Sequence, residues 1–261
     1  MAALTQLLEV RSLSKKFGGV LALDRLDLSV APNDILGLIG PNGSGKTTFF
    51  NVVTGIYPAD AGSVVFERVD ITQAASRTVY RAGISRTFQR SRLCLSLSIF
   101  DNIMIGNHKR LNQGLWFNLM RRSDFKRQFE ESYQAARTLL DVFEPRLCDR
   151  IFEPAAGLPM IDRRRIEICR ALINEPRLLL LDEPSAGMTH EETNELMDDI
   201  LQVRDRKKNL TIIIVEHEMG VIERITDRCI VLNFGRKIAE GPYRQVAADK
   251  QVQEAYLGVA L

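Results

Sequence analysis

The sequence predicts an α/β fold in which a mainly parallel β-sheet is joined to an N-terminal antiparallel β portion. Continuous apolar runs at 35–39, 178–181 and 212–215 are typical of strands that are covered on both faces. Helical periodicities alternate with such runs towards the C-terminus, which favours parallel strands connected by helices. Residues 26–30 instead alternate between apolar and polar, which is the pattern of a half-buried strand.

The composition is that of an ordinary globular protein. The chain has 261 residues, of which 45% are hydrophobic and 26% are charged, and its formal net charge is +2. This apolar content excludes disorder as the main state, and the small net charge argues against a dedicated nucleic-acid-binding protein. The apolar runs are far shorter than the roughly 20 residues of a membrane-spanning helix. Residues 1–16 lack the pattern of a secretory signal, and the four cysteines form no Cys-x-x-Cys pair.

The other elements follow in chain order from local patterns. The N-terminal third is predicted to contain an extended piece at Leu8–Leu13, a helix that ends near Gly55 and a strand at Ser63–Phe66. In the last third, Thr189 and Glu192 have the spacing of a capping box at the start of a helix. The other predicted elements of that third are helices at 166–172 and 219–226 and strands at 229–232 and 237–239.

The middle of the chain, roughly residues 85–160, is predicted to be mostly helical. Residues 124–142 carry apolar side chains at intervals close to 3.6 residues. Residues 109–127 contain six basic residues and one acid. Two interpretations of this basic segment stay open, a solvated face or a surface near membrane phospholipid or an acidic partner.

The strongest signal lies between a predicted strand and a predicted helix. Residues 40–47 read Gly-Pro-Asn-Gly-Ser-Gly-Lys-Thr, which is a phosphate-binding P-loop in its usual setting. Glycines let backbone N–H groups converge on phosphate oxygens, and the helix N-terminus adds partial positive charge. Lys46 is expected to reach the β- and γ-phosphates, and Thr47 is expected to bind Mg²⁺. The predicted nucleotide contacts of this segment are Asn42, Gly43, Ser44, Gly45, Lys46, Thr47 and Thr48.

A second signal is a buried strand that ends in two carboxylates. The run 178–181 is followed directly by Asp182 and Glu183. Asp182 suits the Mg²⁺ shell, directly or through water, and Glu183 suits a base that accepts a proton from an attacking water. Alone this motif is weak, but after a P-loop in an α/β chain it becomes specific.

In this order the motifs resemble those of the nucleotide-binding subunits of ATP-binding-cassette (ABC) transporters, over essentially the whole chain. Gln89, in Arg-Thr-Phe-Gln, is similar to the Q-loop glutamine of that family. His217 follows Glu183 by 34 residues and is similar to the switch histidine. Phe17, in Lys-Phe-Gly-Gly, is similar to the aromatic residue that stacks on adenine.

The resemblance implies ATP and Mg²⁺ as cofactors and a role for each of these residues. Glu183, His217 and Gln89 would be the catalytic residues. The amide of Gln89 would contact Mg²⁺ or the attacking water, and a neutral His217 would hydrogen-bond the γ-phosphate. Phe17 would stack on adenine, a contact of about 1–3 kcal/mol by analogy with base–aromatic stacking.

Within that family the chain resembles the ATPases of branched-chain, or hydrophobic, amino-acid uptake systems. The longer stretch after the Q-loop, at 106–129, is a trait of this subgroup. The other shared segments are 16–19, 39–43, 86–89, 164–171, 185–188 and 255–258. The resemblance implies a single cassette over residues 1–261. Its ATP-binding core lobe would comprise 1–88 and 162–261, and an inserted helical lobe would comprise 89–161.

The family's signature loop is altered in this chain. A Leu-Ser-Gly-Gly-Gln motif would be expected where residues 158–162 read Leu-Pro-Met-Ile-Asp. Pro159 has neither a hydroxyl nor an N–H, Ile161 is branched where close approach favours glycine, and Asp162 adds negative charge. Either the backbone still supports hydrolysis, or the loop is degenerate and the chain pairs with a second ATPase subunit in an asymmetric heterodimer.

The function implied by the resemblance is ATP-driven import of branched-chain or related amino acids. Permease subunits in the membrane would form the channel, a solute-binding protein would act indirectly, and nucleic acid is not expected as a partner. The chain would be a peripheral subunit at the cytoplasmic face of the inner or cell membrane. The alternatives are a regulatory ATP-binding subunit with weak hydrolysis and a soluble ABC ATPase outside transport.

Overall fold

The computed structural model describes residues 6–89, 92–107 and 122–257, and the chain divides into two compact units. The first unit comprises Met1–Arg86, Arg177–Pro184 and Lys207–Leu261, and the second comprises Thr87–Pro176 and Ser185–Arg206. Within the described ranges we find no helix with the length and apolar character that crossing a bilayer requires. Most of the basic segment 109–127 lies outside the described residues.

The first unit begins with the antiparallel sheet that the sequence predicts. Four strands form this sheet, in the order β2-β1-β4-β5. They are β1 (Leu8–Phe17), β2 (Val20–Val30), β4 (Ala61–Phe66) and β5 (Val69–Asp70). The β1–β2 register pairs Leu8 with Val30 and Phe17 with Val20, so the two strands are joined by a tight turn at Gly18 and Gly19.

The second sheet of this unit is mainly parallel, as predicted. Its strand order is β10-β9-β3-β8-β7-β6, and only the β9–β10 pair is antiparallel. The strands are β3 (Ile35–Ile39), β6 (Ile84–Arg86), β7 (Leu178–Asp182), β8 (Thr211–Val215), β9 (Arg228–Asn233) and β10 (Arg236–Gly241). Every residue of β3, β7 and β8 is buried, which explains their continuous apolar runs. Because β3, β7 and β8 are parallel, the residues that follow them meet at one edge of the sheet.

Helices complete the core of the first unit. They are α1 (Lys46–Val53), α2 (Ser76–Ala82), α8 (Met219–Ile225), α9 (Tyr243–Ala247) and α10 (Lys250–Leu257). Phe49 and Phe50 of α1 join one apolar cluster with Leu8 of the antiparallel sheet and Leu180 of the parallel sheet. The P-loop is therefore held between a fully buried strand and a helix that is anchored by two buried rings.

The second unit is helical, as the pattern of the middle segment predicts. Its elements are α3 (Ile99–Met104), a 3₁₀ turn (Ile105–Asn107), α4 (Arg122–Phe143), α5 (Arg146–Asp149), α6 (Met160–Leu172) and α7 (His190–Arg206). The capping box is formed at the start of α7, where Glu192 N–H donates to the Thr189 hydroxyl at 3.2 Å and Thr189 N–H donates to the Glu192 carboxylate at 2.9 Å.

The two compact units do not follow the predicted lobe boundaries throughout. Helices α6 and α7 belong to the second unit, whereas the predicted core lobe contains residues 162–172 and 190–206. Side-chain contacts accompany this division, because Arg165 of α6 forms ion pairs both with Asp199 of α7 and with Glu144, which follows α4. The division into an ATP-binding lobe and a helical lobe stays a prediction about function.

Candidate nucleotide-binding site

The P-loop joins β3 to α1, and two of its glycines are required by close backbone contacts. Gly40 has a φ of 146°, and a Cβ there would lie 2.1 Å from the carbonyl oxygen of Leu232. Gly45 has a φ of 109°, and its Cβ would lie 2.6 Å from the carbonyl oxygen of Ala22. A side chain at either position would collide with a neighbouring strand, so the loop can take this shape only with glycine.

The ammonium group of Lys46 is folded into the P-loop. Its Nζ lies 2.6 Å from the carbonyl oxygen of Gly40 and 3.0 Å from that of Pro41. Burial lowers the pKa of Lys46, and the nearby carboxylates of Glu183 and Asp182 act in the opposite direction. The side chain is therefore a buried cation that is held by neutral carbonyls, and phosphate oxygens would be stronger partners for it.

An open cavity of about 240 Å³ borders the P-loop. The residues around it are Val20, Leu21, Ala22, Asn42, Gly43, Ser44, Gly45, Lys46, Thr47, Thr48, Glu183 and Phe234. All seven predicted contacts of the P-loop segment thus face one space, together with the predicted base Glu183. Sequence reasoning missed the edge of β2, residues 20–22, and Phe234.

Glu183 and His217 are in direct contact. The Nε2 atom of His217 lies 2.6 Å from Oε1 of Glu183, although 34 residues separate them in sequence. Glu183 has a φ of 48°, which is the left-handed region that glutamate rarely adopts. Its N–H donates to the carbonyl of Val215 at 2.9 Å, which fixes this conformation at the end of β7. Strain of this kind often lies at functional sites.

Asp182 forms a buried ion pair that sequence reasoning missed. Its Oδ2 lies 2.5 Å from Nη2 of Arg86, and both side chains are buried. Arg86 also donates to Oδ1 of Asn51 at 2.7 Å, and its guanidinium lies 5.2 Å from the centre of the Phe50 ring. In the sequence, Arg86 is only an arginine at the end of a short segment, Ile84–Arg86. The pairing of β6 with β7 is needed to place it beside Asp182.

Phe17 lies at the end of β1 with 41% of its surface exposed. Its ring meets that of Tyr57 edge to face at 5.2 Å, and Nζ of Lys15 lies 5.5 Å from its centre. Among the described residues, Phe17 does not border the P-loop cavity, but its register partner Val20 does. The ring is thus available next to the cavity, supported by one aromatic neighbour.

Gln89 belongs to the second unit, so its grouping with the P-loop stays a prediction. Its carbonyl accepts a hydrogen bond from Arg164 at 3.2 Å, and the carbonyl of Phe88 accepts another at 3.1 Å. Arg164 in turn pairs with Glu167 at 2.8 Å. The backbone that carries Gln89 is therefore tied to α6.

The altered signature loop leads into α6, which begins at Met160 after Pro159. Ile161 is only 6% exposed, so its side chain is packed inside the second unit, whereas Met160 is 49% exposed. The carboxylate of Asp162 lies 3.2 Å from Nη1 of Arg165, which compensates its charge. Ile161 and Asp162 are thus engaged within the unit, while Pro159 and Met160 are exposed.

Two family models match the sequence. One, described as "ABC transporter", covers residues 23–186, and the other, described as "Branched-chain amino acid ATP-binding cassette transporter", covers residues 236–261. The second match includes residues 255–258, one of the segments that carry the resemblance to the amino-acid uptake ATPases.

Curated relatives and solved structures agree with the family models. The high-affinity branched-chain amino acid transport ATP-binding protein LivG of Escherichia coli K12 is 36% identical over 254 residues, which cover 97% of this chain and 98% of LivG. The corresponding protein BraF of Pseudomonas aeruginosa is 34% identical with the same coverage. A solved ATP-binding cassette of an ABC transporter in its ADP conformation superposes with a TM-score of 0.83 at 31% identity, and the match covers 98% of this chain and all of that one. With the P-loop and the Glu183–His217 pair in the same unit, these matches show that the chain belongs to the ABC transporter family as one of its ATP-binding cassettes.

Proposed function

We propose that this chain binds and hydrolyses ATP as the nucleotide-binding subunit of an ABC importer for branched-chain or related amino acids. The observation that carries this proposal is the single cavity that brings Lys46 and the P-loop together with Glu183, which contacts His217. A buried cation and converging amides suit a polyphosphate, and a carboxylate at the same cavity suits activation of water.

The phosphates would be bound by an exchange of partners inside the P-loop. In the structure Lys46 is hydrogen-bonded to the carbonyls of Gly40 and Pro41. Oxygens of the β- and γ-phosphates would replace these carbonyls, because a charge-assisted hydrogen bond is stronger than a bond to a neutral acceptor. The N-terminus of α1 would add to this stabilisation.

Glu183 would act as the base of the reaction. The oxygen of a water molecule would form a bond to the γ-phosphorus while the bond from phosphorus to the β–γ bridging oxygen breaks and ADP leaves. The water proton would pass to the Glu183 carboxylate. His217 would hold that carboxylate in position and then hydrogen-bond the γ-phosphate, and the amide of Gln89 would contact the attacking water.

The residues present fit Mg²⁺. The Thr47 hydroxyl borders the cavity and the Asp182 carboxylate acts electrostatically on Lys46, so both lie close to the proposed phosphate position. Both are oxygen donors, which Mg²⁺ prefers, and Gln89 would supply a third. When bound, Mg²⁺ would neutralise charge on the β- and γ-phosphate oxygens. Arg86 balances the charge of Asp182 in the structure.

The transported solute is inferred from relatives, because both LivG and BraF are named for branched-chain amino acid transport. We assign the choice of solute to permease subunits and, indirectly, to a solute-binding protein. An aromatic cluster in the second unit supports a contact with permeases at the cytoplasmic face of the membrane. The rings of Tyr133 and Phe152 are stacked at 5.6 Å, Phe129 stacks on Tyr133 at 6.4 Å, and Phe129 and Phe152 are exposed.

ATP turnover by the purified chain tests the proposed function. We expect phosphate release that depends on Mg²⁺ and is abolished by Lys46→Ala. Lys250→Ala is the matched control, since Lys250 is exposed on α10 and has only a loose ion pair with Glu254 at 3.7 Å. Equal rates for wild type and Lys46→Ala would contradict the proposal.

We further propose that the chain pairs with a second ATPase subunit. The first turn of α6 has no side-chain cap, because Pro159 stands at the position where the family has a serine. Combining Pro159→Ser with Met160→Gly restores a hydroxyl and a glycine at two exposed positions and leaves the buried Ile161 intact. The isolated chain should then hydrolyse ATP at least about threefold faster, since lowering the activation free energy by only about 0.7 kcal/mol raises the rate by roughly that factor. An unchanged rate would contradict asymmetric pairing.

A further inference from the structure

The turn between β9 and β10 carries an exposed aromatic ring at the cavity. Phe234 is 79% exposed, more than any other large apolar side chain in the described part of the chain. Its neighbours Asn233 and Gly235 complete a turn that the sequence predicts, but nothing in the sequence indicates what the ring does. A single exposed ring is ordinary on a protein surface, so the surroundings of Phe234 decide what it does.

The turn is fixed against the nucleotide-binding segment. The N–H of Gly235 donates to the carbonyl of Ser44 at 2.9 Å, and the N–H of Asp24 donates to the carbonyl of Gly235 at 3.0 Å. A Cβ at Gly235 would lie 2.7 Å from the carbonyl of Ala22. The turn is therefore packed tightly between the P-loop and the edge of β2, and Phe234 is presented from a fixed position.

The backbone at this position is unfavourable for phenylalanine. Phe234 has a φ of 46°, in the left-handed region where asparagine and glycine are the common residues. The ring gains little from burial in the free protein, so its presence here is not explained by stability. A strained, exposed aromatic residue beside a ligand cavity is better explained by contact with the ligand.

Phe234 also completes an apolar border on one side of the cavity. Val20 and Leu21, at the start of β2, border the same cavity and are exposed. Phe17 lies opposite Val20 in the β1–β2 register, and Gly235 contacts Ala22. Phe17 and the turn that carries Phe234 therefore flank the start of β2, whereas the P-loop forms the polar side of the cavity.

We propose that Phe234 is a second aromatic contact for the nucleotide, packing against its nucleoside part while the P-loop holds the phosphates. This inference rests on the proposed function, because it assumes that the cavity takes a nucleoside triphosphate or diphosphate. The ligand part recognised by Phe234 is an aromatic base with its ribose, and the phosphates contribute nothing to this contact.

Calorimetric titration with ADP and with inorganic tripolyphosphate tests the proposal, since neither requires turnover. Phe234→Asn removes the ring and suits the left-handed backbone. We expect its affinity for ADP to fall about 5- to 20-fold, within the range that alanine substitution of stacking residues gives. Its affinity for tripolyphosphate should stay within twofold of wild type, and its melting temperature should not fall. Phe234→Tyr should bind ADP like wild type.

Phe125→Ala is the control variant, because it removes an exposed phenylalanine from α4 in the other unit. It should bind both probes like wild type. An ADP affinity of Phe234→Asn within twofold of wild type would overturn the inference. A parallel loss for ADP and tripolyphosphate would also overturn it, because the residue would then act on the shape of the P-loop. A wild-type chain that binds neither probe would refute the proposed function itself, and this inference with it.

Discussion

The first unit has three fully buried strands that carry charge only at or beyond their ends, whereas the second unit buries charged side chains along one helix. In the first unit, β3, β7 and β8 are buried over their whole length, and Asp182 and Glu183 follow only where β7 ends. In the second unit, Arg164, Arg165 and Glu167 lie in the middle of α6 and are buried. Around these strands charge is thus placed at the strand ends, while the second unit uses buried charges to pack its helices.

The buried charges of the second unit hold its helices together. The Arg165 guanidinium lies 2.8 Å from Asp199 of α7 and 3.5 Å from Glu144, which follows α4. Burial raises the pKa of Asp199 to about 6, although Arg165 acts in the opposite direction. Such a network stabilises only as long as every charge keeps its partner, because an unpaired buried charge is costly.

Among the described residues of the first unit, Arg86 and Asp182 form the comparable buried pair, and its location gives it a different role. It lies at the end of β7, next to Glu183 and within electrostatic reach of Lys46. In the proposed function Mg²⁺ at the P-loop would replace Arg86 as the partner of Asp182, whereas that function assigns no ligand to Arg165 and Asp199. The comparison therefore predicts that charge changes in the first unit alter function or ligand response, and those in the second unit alter stability.

Glu183→Gln should give the largest effect. The amide keeps the size of the side chain but cannot accept the water proton, so ATP turnover should fall at least about 100-fold, in the usual range for loss of a general base. The melting temperature should stay within about 2 °C of wild type, because Glu183 lies at a strand end and outside the core. Phosphate release and thermal melting by circular dichroism measure the two quantities. Glu131→Gln, at an exposed position of α4, is the control. A large loss of stability in Glu183→Gln would contradict the proposed difference between the two units.

Arg165→Met should give the largest loss of stability. It leaves Asp199 buried without its cation, which costs about 3–5 kcal/mol for a buried pair. Denaturant unfolding measures this loss. The exposed pair of Arg127 with Asp124 supplies the control, since Arg127→Met should cost less than about 1 kcal/mol. Adding Asp199→Leu to Arg165→Met should recover at least half of the loss, and no recovery would argue against an unpaired charge as its cause.

The same variant also has a predicted pH dependence. Asp199 has a folded-state pKa of about 6, above its ordinary value near 3.9. The folded state therefore binds more protons, and stability falls as pH rises through this interval. Loss of Arg165 raises the pKa of Asp199 further, so the stability deficit of Arg165→Met should grow as pH rises above about 6. A deficit that is constant over this range would contradict the assignment.

Arg86→Met tests whether the buried pair of the first unit is coupled to ligand binding, because it breaks that pair at the proposed ligand site. The loss should be about 2–3 kcal/mol, at the lower end for a buried pair, since Lys46 still offsets the charge of Asp182. Mg²⁺ with ADP should raise the melting temperature of Arg86→Met more than that of wild type, because the Mg²⁺ ion supplies the positive charge that Asp182 has lost. Arg165→Met should show only the wild-type increase. Equal increases in all three proteins would show that the Arg86 pair is not coupled to the ligand.

Much of the fold could be predicted because its signals are local. Apolar runs marked β3, β7 and β8, and the P-loop needed only the order of strand, glycines and helix. The contact of Arg86 with Asp182 could not be predicted, because it requires the three-residue strand β6 to pair with β7. The position of Phe234 at the cavity likewise depends on β9 lying beside β3, a contact between segments about 190 residues apart in sequence.

Ile161 illustrates a different limit of sequence reasoning. In the family motif, a glycine at this position lies close to a nucleotide. By analogy, the branched side chain of Ile161 is expected to obstruct the nucleotide. As the second residue of α6, however, it lies four residues before Arg165 and seven before Ile168, on the buried side of an amphipathic helix. The helical period, and not the motif position, determines where its side chain points.

Ile161→Ala and Met160→Ala form the smallest test, and together they distinguish these two readings of the loop. Ile161 is 6% exposed and Met160 is 49% exposed. Ile161→Ala should therefore cost about 2 kcal/mol, at the low end for a truncated core residue because the site lies at a helix start. Met160→Ala should cost about 0.5 kcal/mol or less, as exposed substitutions usually do. If Ile161 instead faced the nucleotide of a partner subunit, its truncation would raise ATP turnover and leave the free energy of unfolding unchanged. Denaturant unfolding and phosphate release, measured on both variants, therefore separate a packing role for Ile161 from an obstructing one.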